Sequence, residues 1–182
     1  MNATRTEPKS PETITDLSAS DKHCVFRSAS SWFSLPAVSV REISIAPDLV
    51  QVPNCHPALA GLCHLRSEFI PVIMLNALFG FDASVVSQPH NKLMVMHGHS
   101  AWALLIAEAA ALESIETLVT PESRGDDANQ TAITGTCMFR HQIVRVLDPT
   151  RVFRLAQLAL EDYWRCPSAS LHQSCRDTGS LR

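Results

Sequence analysis

The sequence predicts a mainly β protein built from small barrels and finished by one C-terminal helix. Three observations lead there. Short runs rich in Val, Ile, Leu, Phe and Trp alternate with Gly, Pro, Asn or Ser breaks about every ten residues, the rhythm of small antiparallel barrels rather than of a parallel sheet. One segment alone, after Asp148-Pro149, carries apolar residues at sustained helical spacing. A chain of 182 residues with 46% apolar content can bury one core, or two small halves sharing one.

The elements follow in order. Residues 1–22 are rich in Ser, Thr, Pro and charge and lack aromatics, so they are expected to form a disordered tail. Residues 166–182 read the same way, which leaves a folded domain over 23–165. His23 to Arg27 is a strand, Ser28 to Ser31 turns, and Trp32 to Leu35 returns. Pro36 closes that strand because it has no N–H for a ladder. Val38, Val40, Ile43 and Ile45 keep an apolar pattern with a phase slip near Arg41-Glu42, the mark of a bulge or a single helical turn. Pro47, Pro53 and Pro57 punctuate a loop. Gly61 to Leu65 and Phe69 to Leu75 make a hairpin about Arg66-Ser67-Glu68, and Asn76 to Phe79 is a helical turn stopped by Gly80.

Ser87 to Asn91 reads as a linker. Lys92 to His97 and Ala101 to Ile106 are strands about Gly98. Within Ala103 to Leu118 the run Ala-Glu-Ala-Ala-Ala-Leu-Glu113 has strong helix propensity, so a short helical turn is expected there, followed by a strand over Glu113 to Val119. Pro121 to Gln130 is a polar loop. Gly135 to Phe139 and Ile143 to Leu147 form a last hairpin around Arg140-His-Gln142. Asp148 then caps a helix with Pro149 at its first position. Val152, Leu155 and Ala159 are expected to dock, with Phe153, Leu160 and Trp164 on an adjoining arc. No internal sequence repeat stands out.

Charge and cysteine usage narrow the function. With 15 Lys+Arg against 18 Asp+Glu, the net charge of −3 disfavours a nucleic-acid partner, which requires clustered cations to displace phosphate counterions. No apolar run reaches the ~20 residues a membrane span needs. The first twenty residues hold no apolar core of a signal peptide. A cytoplasmic location is therefore expected, with no direct membrane insertion and with the 6 Cys reduced.

The most informative stretch is Val40-Arg-Glu-Ile43, then Val52-Pro53, Gly61-Leu-Cys-His-Leu-Arg66 and Ile70-Pro-Val-Ile-Met-Leu75. It resembles the CheW-like family of chemotaxis coupling domains, whose pattern runs V-x-E-I, a Pro-rich loop, G-x-x-N-L-R-G and [IL]-P-V-[IV]-D-L-R. A closing element matches as Leu147-Asp-Pro-Thr-Arg-Val-Phe153. The resemblance spans about Cys24 to Arg154. The chain departs from the pattern at His64, Ser67, Met74 and Asn76, and at Ala107, where an acid is usual unless Glu108 substitutes.

What the resemblance implies is two intertwined, five-stranded, SH3-like barrels with a groove between them, no catalysis and no cofactor. Members of the family link the cytoplasmic tip of a methyl-accepting chemoreceptor to the regulatory domain of a CheA-type histidine kinase. The expected role is a non-enzymatic adaptor in chemotaxis signalling, or alternatively in a pilus-motility or surface-sensing system. The expected partner-binding residues are Val40, Glu42, Ile43, Leu62, Leu65 and Arg66. Of these, Glu42 and Arg66 are read as an ion pair at the binding surface, and the four aliphatic residues equally suit ordinary core packing.

Other features point less far. Cys55-His56 and Cys63-His64 have zinc-type ligands at a non-standard spacing. In a strand only one of Cys63 and His64 faces a shared site. His97-Gly-His99 reads as a turn. A cytosolic thiol or metal-dependent enzyme is the rival class, but no nucleophile, base and oxyanion donors are fixed together in sequence.

Overall fold

A computed structural model describes residues 22–81, 91–98, 100–115, 118–119 and 132–165. The two expected tails (except Lys22, which begins the first strand), the Pro121 to Gln130 loop and most of the expected linker lie outside them. The described residues form strands β1 (Lys22–Ser28), β2 (Ser31–Pro36), β3 (Val40–Ile45), β4 (Leu59–Leu65), β5 (Glu68–Ile73), β6 (Lys92–Met96), β7 (Trp102–Ile106), β8 (Glu108–Ser114), β9 (Leu118–Val119), β10 (Ile133–Phe139) and β11 (Gln142–Leu147). Among the described residues the helices are α1 (Leu75–Leu78) and α2 (Pro149–Arg165), with a 3-10 turn at Ala37–Ser39.

The strands make two sheets, ordered β8-β1-β2-β11-β10-β9 and β3-β6-β7-β5-β4. They intertwine by a reciprocal exchange. The strand after hairpin β1–β2, β3, crosses over to pair with β6, and the strand after hairpin β6–β7, β8, crosses back to pair with β1. A further hairpin completes each sheet through a parallel pairing, β11 along β2 and β5 along β7. These two hairpins correspond residue by residue. Both bulge near their start, at Ala60 and Thr134 just before Gly61 and Gly135, and Cys63, Arg66 and Val72 in one match Cys137, Arg140 and Val146 in the other. The chain thus contains a structural repeat that its sequence conceals, because only inward-facing positions and the turn are held alike. Two-residue β9, which follows β8 and pairs with β10 at Gly135, stands where Val50 follows β3 and pairs with Leu62. Among the described residues, β9 thus adds a short sixth strand to the five expected in the first sheet.

Period-two alternation places three cores. Ala60, Cys63, Ile70, Val72, Leu93, Val95, Ala103 and Leu105 fill the barrel of the second sheet. Val25, Cys137, Phe139, Val144 and Val146 fill the first. The opposite faces, with Phe26, Phe33, Ile73, Met94, Met96, Leu104 and Leu147, meet in a larger core between the sheets. Helix α2 docks there through Val152, Leu155 and Ala156, while Phe153 lies 5.4 Å ring to ring from Trp102. Asp148 caps it: its Oδ1 accepts from the backbone N–H groups of Thr150 and Arg151 at 2.8 and 3.1 Å.

Two expectations need correction. The helical turn expected within Ala103 to Leu118 is absent. Glu108 to Ser114 is strand β8, paired with β1 from Lys22 to Arg27. Its run of alanines has high helix propensity but small side chains. They let β8 close onto Val25 and Cys137, so tertiary pairing overrides local preference. The strand expected over Glu113 to Val119 is instead the end of β8 and the separate β9.

Candidate functional site

The site grows from two irregularities on the outer strands of the second sheet. In β3 the register shifts between Val40 and Glu42, so Arg41 is an extra, bulged residue. This is the phase slip visible in the sequence, and the 3-10 turn at Ala37–Ser39 precedes it. Because of the bulge, Val40 and Ile43 both lie opposite inter-sheet methionines, Met96 and Met94, while Glu42 stands opposite Val95 of the barrel interior. At the far side of the sheet, β4 and β5 join through Arg66 and Ser67, both with left-handed φ of 50° and 71°. That is the two-residue hairpin connection whose twist suits the strands, made here without glycine.

The turn brings Arg66 to Glu42. Its Nη2 donates to Glu42 Oε2 at 2.7 Å. β3 and β4 are the outermost strands of their sheet, so this ion pair joins edge to edge and closes the barrel. Backbone closure accompanies it: Val50 and Leu62 exchange N–H···O bonds at 2.8 Å in both directions. Gly61 makes this possible. A Cβ there would lie 2.7 Å from the Val50 carbonyl oxygen, and its φ of +145° disfavours any side chain. Glu42 Oε1 is buried without a hydrogen bond, with Arg41 Nη2 at 3.7 Å, so two arginines flank one carboxylate.

The six expected residues fall into different environments. Glu42 and Arg66 meet as foreseen. Ile43 is 38% exposed, at the edge of the inter-sheet face. Val40 packs partly against the inter-sheet core, and Leu65 packs partly against the barrel core. Leu62 is half-buried beside Val50 and opposite Pro71. Two exposed side chains escaped the sequence reading. Phe69 is 65% exposed and its ring lies 5.0 Å from that of His64, its cross-strand partner. The hairpin about Arg66-Ser67 already sets these two opposite one another, so register was the missed signal. Val50, half-exposed in the Pro-punctuated loop, had none.

The departures acquire physical content. Met74 sits at the N-cap of α1 and provides no capping oxygen. Asn76 is buried with both side-chain polar atoms unpartnered. Glu108, beside Ala107, lies 3.4 Å from Arg27 Nε.

Cysteine and histidine placement bears on the rival class. Cys63 is fully buried in the barrel, whereas His64 is exposed on the other face. Burial pushes the thiols of Cys24, Cys63 and Cys137 up, away from the nucleophilic thiolate. No group of three or more metal-capable side chains occurs among the described residues, and His99 lies outside them. No helix among the described residues is long and apolar enough to cross a membrane.

The reciprocal exchange, the closed barrels and the terminal helix can be set beside known proteins. The CheW-like domain family matches residues 22–157. The chain belongs to the CheW-like domain family. A crystal structure of the scaffolding protein TtCheW from Thermoanaerobacter tengcongensis superposes with a TM-score of 0.63 over 84% of this chain and 94% of that one. At 15% identity that likeness shows the fold alone. No curated protein matches the chain significantly.

Proposed function

We propose that this CheW-like domain is a non-enzymatic cytoplasmic adaptor that couples the cytoplasmic tip of a chemoreceptor to a CheA-type histidine kinase, with the rim of the second barrel around Glu42 and Arg66 as a docking surface. The observation that carries the reading is the Arg66–Glu42 pair itself. It fixes two outer strands and sets a charged rim beside exposed Ile43 and half-buried Leu62. A pair this exposed contributes only about 0–1 kcal/mol to folding. Its worth therefore lies in shaping a surface, with Val40 and Leu65 supporting that surface from behind. Family membership supports the adaptor role.

The test is co-purification of the full chain with the regulatory domain of a CheA-type kinase. Wild type is retained, Arg66→Glu is lost, and the charge-swapped pair Glu42→Arg with Arg66→Glu recovers part of the binding. A wild-type protein with no affinity for either kinase or receptor tip overturns the proposal.

A further inference from the structure

We infer that α1 is a strap that opens locally over the inter-sheet core while both sheets remain folded. Two unlike helices follow equivalent hairpins. Helix α2 has 17 residues and a capping aspartate. Helix α1 has 4 residues, far below the length at which a helix holds itself together. Its N-cap position is Met74, without a side-chain hydrogen bond. Its second residue, Asn76, is 6% exposed, and neither its amide nitrogen nor its oxygen has a partner. A buried amide with nothing to bond favours any state that returns it to water.

Among the described residues, few bonds hold the strap. Met74 N–H donates to Ala58 O at 2.8 Å, Leu78 N–H to Met74 O at 3.0 Å, Phe79 N–H to Leu75 O at 2.9 Å, Gly80 N–H to Ala77 O at 3.4 Å, and Phe81 N–H to Asn76 O at 2.8 Å. Beyond them Arg145 lies over the Phe81 ring at 4.9 Å. Beneath, Leu75, Leu78 and Phe79 are buried, and Phe79 stacks on Phe33 at 6.1 Å, which stacks on Phe26 at 6.0 Å. Opening α1 thus uncovers an aromatic surface between the sheets that the closed form hides, without unpairing a strand.

Hydrogen exchange of the full chain tests this. The Leu78, Phe79 and Phe81 amides exchange well ahead of those in β6, β7 and the first turns of α2, at a rate insensitive to low denaturant. Asn76→Leu removes the unbonded amide and slows the three α1 amides by about fivefold or more, while Met74→Asp supplies the missing cap and slows them by roughly fivefold relative to β5. Exchange of α1 in the same denaturant-dependent class as β6 and β7 overturns the inference. So does an Asn76→Leu protein whose α1 amides exchange at the wild-type rate.

Discussion

Hairpins β4–β5 and β10–β11 occupy equivalent places in the two sheets, yet their tips are chemically different. Both turn through two left-handed residues, Arg66-Ser67 and Arg140-His141, and both follow a bulge just before a glycine. Arg66 reaches across to Glu42 on the exchanged strand β3. The exchanged strand β8 carries Ala111 at the corresponding register, and Arg140 lies instead over the ring of Phe139 at 4.8 Å. The repeat accounts for the backbone and the inward side chains. It does not account for Glu42, which has an alanine as its counterpart in the other sheet.

The comparison can be broken most severely at Gly61. Gly61→Ala forces a Cβ against the Val50 carbonyl at a left-handed φ, and costs about 2–4 kcal/mol of stability in chemical denaturation. Next in size is the cap that distinguishes the two helices: Asp148→Ala lowers stability by about 1 kcal/mol, read as a fall in melting temperature. The turns sharpen the equivalence. Ser67→Gly and His141→Gly each relieve a left-handed residue and raise stability by about 0.5–1 kcal/mol, so similar gains in the two show the turns to be strained alike.

The smallest effect is a pH dependence. His56, in the loop before β4, accepts the Ala58 N–H at Nδ1 at 3.0 Å and meets Tyr163 of α2 edge-on. Burial lowers its pKa below the ordinary 6.5. A base whose folded pKa lies below its unfolded value favours the neutral form in the fold. Its contribution is therefore complete above about pH 6.5 and is lost as pH falls through the folded value. Melting temperatures between pH 7.5 and 5 decline through this window in the wild type and decline less in His56→Gln.

Much of this was legible in the sequence. Alternating apolar runs mark most strands, Asp148-Pro149 marks α2, and the phase slip near Arg41 marks the bulge that aims Glu42. The Arg66–Glu42 pair is legible only through the family resemblance, because nothing local relates residues on opposite edges of a sheet. β8 was misread because propensity is local while its pairing with β1 is not. The repeat stayed hidden because matched glycines, cysteines and arginines are few among residues free to vary. Phe69 could have been found from hairpin register alone, whereas Val50 depends on a close approach over Gly61 that composition does not announce.

The most direct test compares two charge reversals by titration calorimetry against the regulatory domain of a CheA-type kinase, with thermal unfolding measured alongside. Arg66→Glu should weaken binding at least tenfold with stability changed by no more than about 1 kcal/mol, while Arg140→Glu at the equivalent tip leaves affinity unchanged. Equal losses at both tips, or a loss at Arg66 that merely tracks unfolding, would contradict the account.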